Sequence, residues 1–345
     1  MIKANQRTAV VILNWNGAEM LRRFLPSVVA NSDDARIIVA DNGSTDCSAD
    51  VVAAEFPMVE WLALSENYGF AEGYNRALQQ VDADYFVLLN SDVEVSPQWL
   101  RPLLAYMETH SEVAACQPKL LAEGQRTHFE YAGGAGGFID RYGYPFCRGR
   151  VFGEVEADQG QYDSPASIFW ATGAALLIRR TDWTEVGGLD GRFFAHMEEI
   201  DLCWRLRARG RDIVCVPQSV VYHVGGGTLQ QGSPRKTYLN FRNNLLMLYK
   251  NLPEAELQSV LRWRCWLDLL AALQFALKGS WGEAKAVVRA RKDFKALRSD
   301  YASVRKENLQ KTRLQPIPER WNISLLWQFY VRGRKTFQQL KKTGL

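Results

Sequence analysis

The chain lacks a membrane-spanning run. Its strongest apolar stretch, residues 267–277, is interrupted and flanked by Arg262, Arg264, Asp268, Gln274 and Lys278, so nothing reaches the roughly 18 consecutive apolar residues that a bilayer helix needs. Residues 1–10 carry charge and polarity where a secretory leader would be apolar, which predicts a cytoplasmic chain. Cysteine is sparse. Cys47, Cys116, Cys147, Cys203, Cys215 and Cys265 stand apart with no C-x-x-C pair, the pattern of free thiols in a reducing compartment. Also missing is a G-x-x-x-x-G-K-[ST] loop, which excludes P-loop phosphate chemistry, and no nucleic-acid-binding motif or internal repeat is evident. What is there, 345 residues at 47% hydrophobic and 23% charged, suffices for a large single-core body or one core with an appended module, and excludes disorder and collagen.

Charge is divided unevenly. Residues 1–250 hold 23 Lys and Arg against 30 Asp and Glu, a net −7, whereas residues 251–345 hold 19 against 8, a net +11. An acidic body with a basic, tryptophan-bearing tail predicts that the tail meets something anionic. Within the tail, residues 261–267 (LRWRCWL) mix arginine and tryptophan ahead of further apolar residues. Over residues 257–298 such a helix suits an anionic membrane surface, or equally an ordinary amphipathic packing on the body; nucleic acid is not expected.

The first hundred residues alternate between two periods. Short apolar runs at 8–13 (TAVVIL), 37–40 (IIVA), 59–64 and 85–89 (YFVLL) read as buried strands, and 18–29 and 71–80 have helical spacing. Strand, helix, strand at these intervals predicts an α/β fold with an open, mostly parallel sheet flanked by helices. Farther on, 131–144 (YAGGAGGFIDRYGY) reads as a flexible loop, 174–178 and 213–216 as strands, and 199–210 as a helix. Gly225 to Gly227 read as a turn, and from about residue 236 the pattern is helical to the end.

In an open sheet the ligand sits at the carboxyl ends of the strands, and there this sequence is polar. Asn14-Trp15-Asn16-Gly17 ends the first run and Asp41-Asn42-Gly43-Ser44-Thr45-Asp46 the second, where Asp41 can accept from a base or ribose and Asp46 caps a helix. Asn90-Ser91-Asp92 ends the fourth, offering an amide oxygen and a carboxylate to a hard divalent cation; the same tripeptide also suits a plain turn. Asn67 to Asn75 enter a helix whose free N–H groups would face an anion. Glu198, Glu199 and Asp201 set three carboxylates in four positions, where neighbouring charge raises a carboxyl pKa toward that of a general base. The same residues complement a helix dipole, and Asp201 is placed to pair with Arg205, so Asp201 reads as structural.

Taken in order, these pieces resemble the inverting, metal-dependent glycosyltransferases of family 2, of GT-A fold, over about residues 8–227. The branch most like this chain is the rhamnosyltransferase-like enzymes of bacterial surface polysaccharide. Further matches are Ala171-Thr172-Gly173-Ala174, Gly187-Gly188-Leu189-Asp190, Phe193-Phe194 and the sequence from Glu198 to Leu202. The resemblance implies a catalytic domain over 1–235, with a nucleotide-sugar half at about 1–110 and an acceptor half at about 111–235, and a basic helical region over 236–345. It implies a donor site of Asn14, Asn16, Asp41, Asn42, Asn67, Gly69, Asn75, Asn90 and Ser91. It also implies an acceptor side of Trp170, Thr172, Gly173 and Asp190, and Mg²⁺ or Mn²⁺ on Asp92, Asn90 and His223. Glu199, with Glu198 before it, stands where the family carries its aspartate base. Partners would be a UDP- or dTDP-sugar and a glycan or polyprenyl-linked acceptor, at the inner face of the cytoplasmic membrane. Asn90 in place of an aspartate and Glu199 in place of an aspartate depart from the family pattern. They leave open a non-catalytic, membrane-associated scaffold; a sugar nucleotidyltransferase is the other alternative.

Overall fold

The computed structural model describes residues 7–33, 35–225 and 232–342. Gly226 and Gly227, part of the expected turn, lie outside them. The chain opens with β1 (Thr8–Asn14), α1 (Ala18–Asn31), β2 (Arg36–Asp41), α2 (Ser48–Glu55), β3 (Glu60–Ala63), α3 (Gly69–Leu78) and β4 (Tyr85–Asn90). Next come β5 (Val93–Val95), α4 (Leu100–Thr109), β6 (Val113–Ala122), β7 (Gln125–Phe129), β8 (Gly137–Asp140), β9 (Pro145–Cys147), β10 (Arg150–Val151), β11 (Glu154–Val155) and β12 (Ala166–Ser167). After these follow β13 (Ala175–Arg179), α5 (Arg180–Val186), α6 (Glu198–Ala208) and β14 (Asp212–His223). The chain ends with α7 (Pro234–Asn251), α8 (Glu254–Leu277), α9 (Trp281–Leu297), α10 (Ala302–Gln310), β15 (Arg320–Trp321) and α11 (Phe337–Lys341).

The unbroken apolar strands are explained by burial on both faces of the sheet. In β1, Ala9 and Val11 face Ala71, Tyr74 and Ala77 of α3, while Val10 and Ile12 face the core that holds Leu21 and Leu25 of α1 and Val51 and Val52 of α2. Successive side chains alternate sides, so a strand covered on both faces must be apolar throughout. The sheet runs β12-β14-β6-β13-β4-β1-β2-β3. It is parallel across β4, β1, β2 and β3 and between β6 and β14; β13 enters antiparallel to both β4 and β6. Register then aligns the polar strand ends, with Asn14 opposite Asp41 and Leu13 opposite Asn90.

Two expectations are corrected. Residues 131–144 are no flexible loop, because β8 lies within them, fully buried, in a second sheet ordered β11-β10-β9-β8-β15. Nor is the chain helical to its end. After α10 it returns to pair β15 with β8 and buries Trp321, Phe337 and Leu340 against Phe138 and Phe146. At this junction the buried Asp140 carboxylate accepts from the backbone N–H of Tyr142 (2.9 Å), Tyr144 (2.8 Å) and Leu325 (2.9 Å), tying the tail to the body. Burial pushes its pKa up to about 6 against the pull of those three bonds.

Asp140→Ala would strand three buried donors and should lower stability by about 3 kcal/mol, read as a reduced urea midpoint with an unchanged slope.

Candidate active site

The ends of β1 and β2 are laced together by side chains. Asn14 Nδ2 donates to Asp41 Oδ1 and to the Ser44 hydroxyl, both at 3.2 Å, and the backbone N–H of Ser44 donates to Asp41 Oδ2. Asn16 joins them, its N–H donating to Ser44 Oγ and its Oδ1 accepting from Thr45. Asp46 accepts from the N–H of Ala18 and of Ser48, bracing the first turns of α1 and α2. Asn14 Oδ1 stays buried without a partner. Beside this cluster, Asn42 Nδ2 donates to Asn67 Oδ1 and to the Gly69 carbonyl.

The expected anion seat at the start of α3 is corrected. Gly69 N–H donates to Asn67 Oδ1, and the N–H groups of Phe70 and Ala71 both donate to the Phe194 carbonyl, so these donors are taken within the protein. Gly69 is required here: its φ is +78°, and a Cβ would lie 2.5 Å from the Phe194 ring. Asn75 also lies elsewhere. Its side chain brackets Leu189, donating to the carbonyl at 2.8 Å and accepting from the N–H at 3.0 Å. With Asp190 it lines a second cavity behind α6, remote from the donor cluster in its contacts.

A cavity of about 600 Å³ opens beyond the end of β4. Asn90, Asp92 and His223 line it, as do Trp170, Thr172, Gly173, Glu198 and Glu199; the cluster around Asn14 and Asp41 lies outside its walls, on the neighbouring strands. Ser91 follows directly after β4 and does not border it. The antiparallel pairing of β14 with β5 carries His223 to the strand end, where Nε2 lies 3.2 Å from Asp92 Oδ1 and 3.4 Å from Asn90 Nδ2. Sequence reasoning missed Glu130. Its Oε1 sits 3.4 Å from His223 Nδ1, so the ring lies between two buried carboxylates. Burial disfavours the imidazolium, but Asp92 and Glu130 outweigh it and lift His223 to about 10.

Among the described residues, no group of three or more His, Cys, Asp or Glu is arranged to hold a metal by itself. The residues present still fit a cation of the kind that shares its coordination with phosphate. One carboxylate oxygen and one imidazole nitrogen meet at the cavity wall, where a cation would take the place of the proton now held between them, and Mg²⁺-type sites commonly use one or two protein ligands plus substrate phosphates.

Glu198 and Glu199 begin α6 in the same cavity, each with an Oε2 that is buried and unpartnered. Burial raises both carboxyls, Glu199 to about 7 and Glu198 well above the ordinary carboxylate range, with repulsion from Glu199 added. Asp201 behaves oppositely. Despite its burial, Lys250 (2.8 Å) and Arg205 (2.9 Å) hold its pKa below the ordinary value, and Asn251 donates to its other oxygen, so it is a structural anchor. Lys250 also binds Asp190 at 2.7 Å, which places Asp190 in this anchor instead of on the cavity wall.

The turn before α6 is strained. Phe194, His196 and Met197 have φ of 67°, 72° and 73°, each a conformation costing about 1–3 kcal/mol for a non-glycine residue. Asn243 of α7 holds it, its Nδ2 facing the carbonyls of Phe193 (3.0 Å), Ala195 (2.9 Å) and His196 (2.8 Å). His196 faces the cavity with Nε2 unpartnered, and burial lowers its pKa to about 4, so the ring is neutral near pH 7. No local motif signals Glu130, Asn243 or Lys250, each of which acts across many tens of residues.

An open mixed sheet, with polar strand ends on one side and an acidic helix start across the cavity, is the GT-A arrangement of glycosyltransferases. Residues 9–160 match the model described as Glycosyl transferase family 2. The chain is similar to the N-acetylglucosaminyl-diphospho-decaprenol L-rhamnosyltransferase of Mycobacterium tuberculosis, 29% identical over 231 residues that cover 62% of this chain and 75% of that one. To rhamnosyltransferase WbbL of Escherichia coli it is 22% identical over 221 residues, covering 62% and 82%. Its fold is similar to that of GalNAc-T7 with UDP, GalNAc and Mn²⁺ (TM-score 0.58, 16% identity), over 90% of this chain but only 58% of that one. It is also similar to Staphylococcus aureus TarS 1–349 with UDP-GlcNAc (TM-score 0.55, 14% identity), over 88% and 89% of the two chains. Over residues 9–160 the chain is thus similar to glycosyltransferase family 2, and both of these curated relatives are rhamnosyltransferases.

Asn243→Ala releases the strained turn. Stability should fall by about 1–3 kcal/mol as three carbonyls of the turn lose their donor, read as a reduced urea midpoint.

Proposed function

We propose that this chain transfers a sugar, with rhamnose the first candidate, from a UDP- or dTDP-sugar to a glycan or polyprenyl-linked acceptor in bacterial surface-polysaccharide synthesis, with inversion at the anomeric carbon. The observation that carries this reading is the pair of carboxyls at the start of α6, each with one buried, unpartnered oxygen, sharing one cavity with Asn90, Asp92 and His223. Burying unpaired carboxyls is costly, and a scaffold without chemistry has no use for them. A sugar nucleotidyltransferase would want a glycine-rich, Lys- and Arg-bearing loop after the first strand, where this chain has Asn14-Trp15-Asn16-Gly17.

In this reading Asp41, Asn14 and Asn16 hold the nucleoside, with Asn42 and Asn67 shaping the adjoining wall. Asp92 and His223 would hold Mg²⁺ or Mn²⁺, which when bound supplies positive charge to the diphosphate. Trp170, Thr172 and Gly173 border the acceptor side. Glu199 accepts the proton of the attacking hydroxyl, because its pKa lies near neutrality, with Glu198 beside it in the same cavity. The hydroxyl oxygen bonds to the anomeric carbon as the bond to the diphosphate oxygen breaks from the opposite face. Nucleoside diphosphate leaves, and the new linkage is inverted. Neutral His196 shapes the cavity without adding charge.

Calorimetric titration with UDP, dTDP and GDP, each with and without Mn²⁺, tests the donor site. One nucleotide should bind only with the ion, and Asp92→Ala should abolish that binding; no binding of any nucleotide at millimolar concentration refutes the reading. Glu199→Gln should lower kcat by about 1,000-fold or more with nucleotide binding retained.

The pH profile follows from burial. The rate should rise as pH passes through about 7 and Glu199 ionises. Stability should run the other way. A carboxyl whose folded pKa is raised contributes stability that is complete below its unfolded value and is lost as pH climbs through the folded value, so Glu199→Gln should flatten that decline between about pH 4.5 and 7.

A further inference from the structure

Among the described residues no helix is long and apolar enough to cross a membrane. Helix α8 nevertheless leaves a large apolar face uncovered. Trp263, Trp266, Leu270, Leu273 and Leu277 recur at alternating three- and four-residue intervals and are 54%, 68%, 60%, 54% and 80% exposed. That spacing puts them on one stripe along the helix, with Leu269 at its margin and Trp281 continuing past the turn into α9. Single exposed apolar residues are ordinary; a stripe of this length marks a docking surface.

We propose that this face of α8 docks on an anionic phospholipid bilayer, an inference that rests on the lipid-linked acceptor named above. Charge selects the occupant. Beyond Glu256 the acidic residue of α8 is Asp268, which is buried and held by Arg264 and Arg291. Those two arginines are thereby withdrawn from the basic surface that the sequence suggested, whereas Arg262 and Lys278 stand exposed at the two ends of the stripe. On α9, Lys285, Arg289, Lys292 and Lys295 are exposed as well. A second copy of the chain fits poorly. Two such helices paired antiparallel about residue 270 would set Arg262 of one copy against Lys278 of the other, with no acid between them. A bilayer instead takes indole and leucine into its interface and pairs the cations with lipid phosphates.

Position supports the same occupant. Trp263 packs beside Tyr142 with ring centroids 6.4 Å apart, and Arg264, one residue on, lines the active-site cavity. The stripe thus starts at the cavity edge, where an acceptor tethered in the bilayer would arrive.

Sedimentation with vesicles of phosphatidylcholine alone, and of about three parts phosphatidylcholine to one part phosphatidylglycerol, tests the surface. The full chain should bind the anionic vesicles at least 10-fold more strongly than the neutral ones. Trp266→Ser with Leu273→Ser, and separately Arg262→Glu with Lys278→Glu, should each lower that binding about 10-fold or more, with circular dichroism unchanged. No vesicle binding by the wild-type chain overturns the proposal, as does binding that both double variants retain. Ultracentrifugation showing a dimer that Trp266→Ser with Leu273→Ser dissociates would assign the face to a second copy and overturn it too. Vesicle binding retained in Asp92→Ala separates this surface from the donor site, so each reading can fail alone.

Discussion

Two carboxyls side by side at a buried helix start are unfavourable by themselves, and much of this protein is arranged to keep Glu198 and Glu199 there. The start of α6 offsets part of the cost, since a helix N-terminus favours negative charge and backbone N–H groups reach both residues. The rest is met one turn deeper, where Asp201, paired with Arg205 of its own helix, fastens α6 to Lys250 and Asn251 of α7. Breaking one partner of such a buried cluster strands charge in a region of low dielectric, so the anchor is rigid in a way that an exposed ion pair is not.

The partners in that anchor come from different parts of the chain. Lys250, Asn251 and Asn243 belong to α7, and they fix α6 and the turn before it. Arg264 of α8 reaches the Tyr142 carbonyl and the Asn244 side chain, and Asp140 accepts from Leu325. Removing the C-terminal region would therefore disturb the cavity itself. The basic tail is both a wall of the active site and, on its outer side, a surface for something else.

Much of the donor side was legible because it depends on short-range pattern. Apolar runs ending in Asn14, Asp41 and Asn90 name the strands and the edge at which they stop, and parallel register does the rest. The second sheet was not, since β9, β10, β11 and β15 are two or three residues long and β8 pairs with a strand some 180 positions away. A glycine-rich segment such as 131–144 looks like a loop until its partner is known. Asn75 and Asp190 were misplaced for a related reason. Both are polar residues near a predicted site, and only the packing of α3 on the turn before α6 shows that they serve a bracket around Leu189 and an ion pair with Lys250.

The two departures from the family pattern look different once the fold is known. Asn90 removes a carboxylate from the metal side, but Glu130 brings another to within 3.4 Å of His223 from a distant part of the chain, so acid has been moved as well as lost. Glu199, one methylene longer than aspartate, follows a turn in which three non-glycine residues take positive φ, and a Cβ at the nearby Gly173 would crowd the Phe70 ring at 3.1 Å. In both places the surroundings are set by residues far away in sequence, Glu130 beside His223 and Asn243 beneath the turn that leads into Glu199, and for that reason the order of motifs along the chain does not show them.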